Sequence, residues 1–291
     1  MTRPLDASVP LLDAEYDLRS AFPDYVHYFE DWAVRSRSAR QQLNCLLDMP
    51  YGPGPRDRVD FFLAPTPIAP LLVYVHGGYW RSLDKSDFSF LAFPFIKNGT
   101  SLALINYDLF PGTTMSKLVA QVRHACAWIA VNAGRLGVAY TELHLAGWSA
   151  GAHLVAMVLC SGRETFRAAT ETPRISSMFA LSGVYDLEPI LETSANADLR
   201  LDEAEAQQNS PIHLQPTLGC PITVMWGERE TRAFRQQSSC LAEVWRAKGA
   251  EVRPIQVPGL HHYALMHALG DEESAVFETA AGLLHANNGC Q

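Results

Sequence analysis

Short apolar segments recur along the chain, and each has the length of one β-strand. Most of them are almost continuously hydrophobic, which is typical of strands buried on both faces of a parallel sheet. They occupy residues 71–75, 101–106, 141–146, 177–181, 221–226 and 251–257. This pattern constrains the fold more than any other feature, because it predicts a mostly parallel sheet that needs crossover connections between its strands.

Helical patterns occur between these segments. Apolar residues recur at three- and four-residue spacing from Met115 to Ile129, and the pattern stops near Gly134. A second helix is predicted over residues 232–248, where Gly249 would end it. Strands that alternate with helices favour right-handed crossovers and a doubly wound sheet. No Pro/Gly/Ser-rich linker interrupts the alternation, so we predict a single α/β domain over residues 1–291.

Two stretches do not follow the alternation. Residues 11–50 are helix-like and mixed in character, and we expect this N-terminal segment to pack across the sheet or the mouth of a site. Residues 185–216 are polar and helical where the next strand would otherwise follow. This predicts an insertion, and by analogy with other α/β enzymes we expect it to form a small cap.

Composition and charge exclude several classes of protein. The 291 residues are 48% hydrophobic and 19% charged, with a formal net charge of −8, which argues against a nucleic-acid surface. No apolar run approaches the ~20 residues of a transmembrane helix, and Arg3 and Asp6 stand where a signal peptide would be apolar. The scattered cysteines form no CxxC pair, so we expect unpaired thiols and a cytoplasmic protein. They are Cys45, Cys126, Cys160, Cys220, Cys240 and Cys290.

A candidate nucleophile lies in the motif Gly-Trp-Ser-Ala-Gly at residues 147–151. A bare GxSxG arises by chance, but here residues 142–146 are predicted as the strand before it and residues 153–158 as the helix after it. A sharp turn between a strand and a helix lifts a serine hydroxyl above the sheet and directs the next backbone N–H at a developing oxyanion. We therefore predict that Ser149 is a nucleophile.

A glycine-containing loop, His-Gly-Gly-Tyr-Trp at residues 76–80, directly follows the predicted strand 71–75. An oxyanion hole needs backbone N–H groups that converge on one point, and glycine lets the chain approach closely. The alternative is a simple turn. We favour the oxyanion loop because hydrolases with the strand–serine–helix turn place their second donor after this strand.

Two late loops carry an acid and a base in the chain order nucleophile, acid, histidine, as the α/β-hydrolase fold requires. Residues 227–230 follow one predicted strand, and residues 258–262 follow the next. The open candidates are Glu228 or Glu230 for the acid and His261 or His262 for the base. We expect the remaining candidates His124, His144 and His153 to be packed or surface residues.

Other chemistries find little support. The chain has no GxGxxG motif for a dinucleotide, no HExxH motif and no clustered His/Asp/Glu set for a metal. We therefore expect no metal and no organic cofactor.

Together these motifs resemble the kynurenine formamidase (arylformamidase) branch of the α/β hydrolases. The distinctive piece is the loop at residues 76–80, where many related esterases have three glycines in a row. The resemblance extends over nearly the whole chain. It includes Tyr51-Gly52, Val59-Asp60 and residues 149–154, 181–190 and 209–211.

The resemblance implies that Ser149 is the nucleophile, His262 the base and Glu230 the acid, where the family usually has aspartate. Glu228 remains the alternative acid. The oxyanion donors that the resemblance implies are the N–H groups of Gly78, Tyr79 and Ala150.

The reaction that the resemblance implies is cleavage of an N-formyl aromatic amine to formate and the free amine through an acyl-enzyme. We expect aromatic side chains to line the substrate pocket, namely Trp80, Tyr107 and Trp148. Trp148 stands where the family often has histidine, so a carboxylesterase or amidase acting on small aryl esters or amides is the alternative. A more remote alternative is a binding protein of this fold that catalyses no reaction. The expected partner is a small molecule, with no nucleic acid and no membrane, and the sequence carries no signal for oligomeric state.

Overall fold

A central sheet of eight strands organises the part of the chain described by the computed structural model, which covers residues 9–161, 166 and 175–285. The strand order is β1-β2-β4-β3-β5-β6-β7-β8. The strands are β1 Cys45–Pro50, β2 Arg58–Phe62, β3 Ile68–Val75, β4 Ser101–Ile105, β5 Ala139–Trp148, β6 Ile175–Leu181, β7 Ile222–Gly227 and β8 Val252–Val257.

Helices cover the sheet and its carboxyl edge. They are α1 Val9–Tyr16, α2 Leu18–Ala21, α3 Tyr25–Gln42, α4 Ala92–Lys97, α5 Met115–Asn132, α6 Ala150–Cys160, α7 Asn196–Leu199, α8 Glu203–Gln208, α9 Arg232–Ala247, α10 His262–Leu269 and α11 Ala275–His285. Within the described ranges, no helix is both long and apolar enough to cross a membrane.

All six predicted strands are present as β3 to β8, and they pair with one another in parallel. The predicted α/β-hydrolase class of fold is confirmed. The two predicted helices are present as α5 and α9, and Gly249 beyond α9 takes a left-handed φ of +87°. Thr114 caps α5, because its side chain accepts a hydrogen bond from the Lys117 N–H.

An antiparallel extension of the sheet was not predicted. β2 pairs antiparallel with β4, and β1 pairs antiparallel with β2 as the edge strand. Residues 11–50, expected to be helical, are therefore helical only as far as Gln42. The last part joins the sheet, where Asp48 and Pro50 are compatible with an edge strand because that edge needs no further partner.

Buried charges fix the N-terminal helix α3 to this extension. Asp60 on β2 is fully buried, and its carboxylate contacts Arg40 of α3. Lys85, which is also buried, lies with Nζ 2.9 Å from Asp60 Oδ1 and 2.6 Å from Asp48 Oδ1. The Asp48 N–H donates to Asp60 Oδ1 at 2.6 Å. Burial of these charges is tolerated only because each one has a partner of opposite charge.

The thiols of the described cysteines are free, and Cys290 lies outside the described residues. Between β6 and β7, residues 185–216 form short helical turns that include α7 and α8. Residues 193–195 from this stretch lie at the cavity that contains Ser149.

The charge network generates the first prediction. Replacement of Asp60 with asparagine removes the buried carboxylate that Lys85 and Arg40 share and leaves Lys85 paired only with the exposed Asp48. We expect it to lower the free energy of unfolding by about 3 kcal/mol, the low end for a broken buried ion pair, because Asp48 still pairs with Lys85. Urea denaturation measures this change. The matched control is Glu272→Gln, which breaks an exposed pair with Lys97 (72% and 41% exposed) and should cost less than about 1 kcal/mol. Equal effects of the two variants would contradict a stabilising role for the network.

Candidate active site

The turn between β5 and α6 holds Ser149 in a strained conformation. Its φ of 57° and ψ of −120° lie outside the regions favoured by residues other than glycine. A Cβ atom on Gly147 would approach the Gly151 carbonyl to 2.4 Å, and one on Gly151 would approach the Val75 oxygen to 2.0 Å. Both positions therefore require glycine. The Ser149 N–H donates to the Leu181 carbonyl at 2.9 Å, which fixes the turn to β6.

A buried histidine and a buried carboxylate face each other at the carboxyl edge of the sheet. His262 Nδ1 at the start of α10 lies 3.6 Å from Glu230 Oε2, in the loop after β7. The other carboxylate oxygen, Oε1, accepts hydrogen bonds from the Gly227 N–H at 3.0 Å and from the Ser182 hydroxyl. With Nδ1 turned to the acid, Nε2 is the ring atom left for the serine. Ser149 and His262 line the same cavity.

The alternative acid and base lie elsewhere. Glu228 is exposed, and its Oε2 accepts from the Gly259 N–H at 2.9 Å. His261 stacks on Phe22 with ring centroids 4.7 Å apart, and its Nε2 lies 3.2 Å from Asp24 Oδ2. Neither residue lines the cavity with Ser149. Of the two pairs left open by the sequence, the structure brings Glu230 and His262 together.

The loop after β3 reverses direction beside the serine. Gly78, Tyr79 and Trp80 all have positive φ values, of 113°, 55° and 55°. The Gly78 carbonyl accepts from the backbone N–H of Arg81 and of Ser82, which closes the turn. No acceptor within the described residues takes the N–H of Gly78 or Tyr79. Ala150 is the first residue of α6, where helical geometry leaves N–H groups without helical partners.

Trp80 anchors this loop to helix α6 through a buried hydrogen bond. Its buried indole Nε1 donates to His153 Nδ1 at 3.2 Å, and His153 Nε2 lies 2.7 Å from the Asn209 carbonyl oxygen. An indole N–H only donates, so His153 is the neutral tautomer that carries its proton on Nε2. Burial lowers the pKa of His153 to about 4, which agrees with a neutral ring. His153 thus connects the loop, helix α6 and the inserted segment.

The expected lining of the pocket is corrected in part. Trp148 lines the cavity, but Trp80 and Tyr107 do not. The successive left-handed residues point in different directions, so Tyr79 faces the cavity while Trp80 is buried against His153. Tyr107 is fully buried, stacks on His76 at 4.3 Å and donates its hydroxyl to the His76 carbonyl at 2.8 Å.

The sequence missed much of the cavity wall. Trp148 stacks obliquely on His262, with ring centroids 4.7 Å apart. The remaining wall comes from α1 to α3, from the inserted segment and from the residue after the histidine. These missed residues include Tyr16, Leu18, Arg19, Phe29, Thr193, Ser194 and Tyr263. Two expectations pointed toward them without naming them: that residues 11–50 could lie at the mouth of the site, and that the insertion 185–216 could form a cap. The supporting hydroxyl of Ser182 was also missed, although it lies in the segment 181–190 that carries the family resemblance.

Known proteins are similar to this chain over most of its length. The family model described as BD-FAE matches residues 60–243. A kynurenine formamidase from Danio rerio is 33% identical over 255 residues, which cover 85% of this chain and 84% of that protein. The chain belongs to the kynurenine formamidase family of α/β hydrolases. The resemblance inferred from its motifs is confirmed.

An esterase and a solved structure are also similar to this chain. Esterase LipQ from Mycobacterium tuberculosis is 29% identical over 238 residues, 74% of this chain and 56% of that one. The crystal structure of a putative thioesterase from Silicibacter sp. TM1040 superposes with a TM-score of 0.79 at 31% identity and covers 92% of this chain and 97% of that chain.

The His153 bridge generates the second prediction. In His153→Leu the Trp80 indole loses its buried acceptor, and we expect the loop to shift and kcat for 4-nitrophenyl acetate to fall about 10–100-fold with little change in KM. His153→Gln is the matched control, because its amide accepts from an indole and donates to a carbonyl. It should recover most of kcat. If the leucine variant loses stability in urea while kcat stays unchanged, His153 does not position the loop.

Proposed function

We propose that this chain is a serine hydrolase that cleaves an N-formyl aromatic amine, such as N-formylkynurenine, to formate and the free amine. The observation that carries the reaction class is the shared cavity of Ser149 and His262, with Glu230 directly behind the imidazole. The substrate is supported by the 33% identical relative, which is a kynurenine formamidase.

In the first step His262 Nε2 takes the proton of the Ser149 hydroxyl as its oxygen attacks the formyl carbon. The carbonyl oxygen becomes an oxyanion that accepts from the N–H groups of Gly78, Tyr79 and Ala150. Each donor of this kind typically contributes about 3–4 kcal/mol to the stability of the transition state. The Glu230 carboxylate orients the ring and stabilises the imidazolium.

In the second step the C–N bond breaks and His262 gives its proton to the departing arylamine. Ser149 then carries a formyl ester. His262 next accepts one proton from a water molecule, whose oxygen attacks this ester, and the Ser149 oxygen leaves with that proton. The product is formic acid, which loses its remaining proton to solvent and becomes formate. The proton transfers to and from Ser149, the arylamine and the attacking water all pass through one imidazole, so the orientation of His262 controls both steps.

The glutamate that replaces the family's usual aspartate is accommodated by its hydrogen bonds. Gly227 and Ser182 hold Oε1, and this leaves Oε2 directed at His262 despite the longer side chain. Trp148, the other departure from the family pattern, covers one face of His262 and supplies an apolar wall for an aryl ring.

Hydrolysis of small aryl esters is the second candidate function. It is favoured by the similarity to esterase LipQ and to the putative thioesterase, because the same serine, base and oxyanion donors serve ester cleavage. The two reactions differ in the leaving group: an arylamine must be protonated as it departs, whereas a phenolate leaves without a proton.

The third prediction separates these functions. Wild type should release formate from N-formylkynurenine, and Ser149→Ala should reduce kcat by about 10⁴-fold or more, because the nucleophile acts as one unit with its base. Formate release and 4-nitrophenyl ester cleavage are measured side by side. Ester cleavage without formate release would reject the formamidase proposal in favour of the esterase. Turnover of neither substrate class by a folded protein would reject both.

The fourth prediction concerns the acid. Glu230→Gln keeps the shape but loses the charge that orients His262, so kcat should fall by about 10³–10⁴-fold. Glu228→Gln, two residues away and exposed, is the matched control and should retain kcat within about twofold. The opposite ranking would show that the acid has been assigned to the wrong glutamate.

A further inference from the structure

Arg19 on helix α2 lines the rim of the cavity that contains Ser149. Its guanidinium carbon lies 5.5 Å from the ring centre of Tyr25 and 5.9 Å from that of Phe29. Two aromatic faces therefore hold a cation at the mouth of the site. The side chain is exposed, so an incoming ligand can reach the remaining N–H donors.

Hydrogen bonds connect Arg19 to the oxyanion loop. Its Nη2 donates to the Ser82 hydroxyl at 3.2 Å, and that hydroxyl donates to the Gly78 carbonyl at 2.9 Å. The guanidinium is thus separated from a proposed oxyanion donor by one serine side chain. A substrate whose carbonyl lies at Gly78 can reach Arg19 with a short side arm.

The other charges at the cavity already have partners. Arg81 Nη1 lies 2.7 Å from Asp198 Oδ2. Asp13 accepts from the Ser194 N–H at 2.7 Å. Asp17 caps α2 and accepts from the N–H and hydroxyl of Ser20.

Arg19 differs from these residues because no carboxylate within the described ranges pairs with it. A guanidinium presents N–H donors in a fork that fits a carboxylate with two parallel hydrogen bonds. We propose that Arg19 binds a carboxylate on the side arm of the substrate. This role of Arg19 rests on the proposed function, because the side arm of N-formylkynurenine ends in such a carboxylate.

Two pairs of substrates test this proposal. N-formylkynurenine carries the amino-acid arm, and 2-formamidoacetophenone has the same aryl formamide without it. O-acetyltyrosine and 4-methylphenyl acetate form the corresponding ester pair. The variants are Arg19→Gln, which removes the charge, and Arg19→Lys, which keeps the charge but loses the fork. Arg37→Gln, an exposed arginine on α3 outside the cavity, is the matched control for net charge.

For Arg19→Gln we expect KM of N-formylkynurenine to rise roughly 10–100-fold, the range of a charge-assisted hydrogen bond, while kcat and the kinetics of 2-formamidoacetophenone stay within about twofold. The KM of Arg19→Lys should lie between those of wild type and Arg19→Gln, and the KM of Arg37→Gln should match that of wild type. Added salt should raise KM for the carboxylate substrate in wild type and not in Arg19→Gln.

An equal loss on both members of a pair would overturn the proposal, because it would show that Arg19 only supports the loop through Ser82. An unchanged KM for the carboxylate substrate would overturn it as well. If wild type cleaves only the esters, the proposed formamidase function fails. The KM values of O-acetyltyrosine and 4-methylphenyl acetate still show whether Arg19 binds the carboxylate. The two failures are therefore distinguishable.

Discussion

The close approach of helix α6 to the end of β3 determines where Ser149 lies relative to the loop 76–80, and the rest of the site is arranged around these two elements. Gly151 meets the carbonyl oxygens of Val75 and His76 at distances that leave no room for a Cβ atom, namely 2.0 Å and 2.6 Å from its ideal position. This contact puts Ser149 at the top of β5 and the loop 76–80 directly beside it. The proposed nucleophile and the proposed oxyanion donors are therefore neighbours, because two glycines allow a strand, a turn and a helix to approach so closely.

Buried hydrogen bonds then orient what the backbone has brought together. Ser182 and Gly227 hold one oxygen of Glu230, so that the other faces His262. At the loop 76–80, His153 accepts a hydrogen bond from the Trp80 indole N–H and contacts the Asn209 carbonyl. Each of these donors is buried, where an unpaired polar group would cost about 1–3 kcal/mol. The supporting groups consequently favour one arrangement of the loop and of the acid.

The sheet was largely predictable from the sequence because its inner strands are buried on both faces and read as apolar runs. β1 and β2 were not, because an edge strand with Asp48 and Pro50, and a strand whose buried Asp60 is neutralised by Lys85, do not look hydrophobic. The partner that makes Asp60 tolerable is distant in the sequence, so no local pattern reveals it.

The residue pattern by itself predicted the chemistry as residue types and chain order, and the family resemblance selected Glu230 and His262 among the candidates. Glu228 and Glu230 lie two residues apart in one turn, and only the fold shows that one is exposed and the other buried against His262. The same limit applies to Tyr79 and Trp80, whose side chains diverge at a left-handed turn. Arg19 lies on a helix of four residues, which is too short for a periodic pattern, and its place at the cavity depends on long-range packing.

The central claim is that Ser149 is the nucleophile activated by His262, and covalent labelling tests it most directly. The intact protein is treated with a fluorophosphonate, digested, and mapped by mass spectrometry. The account predicts one adduct, on the peptide that carries Ser149, and labelling at least about 10³-fold slower in His262→Gln. An adduct on another residue, or equal labelling of the two proteins, would contradict it.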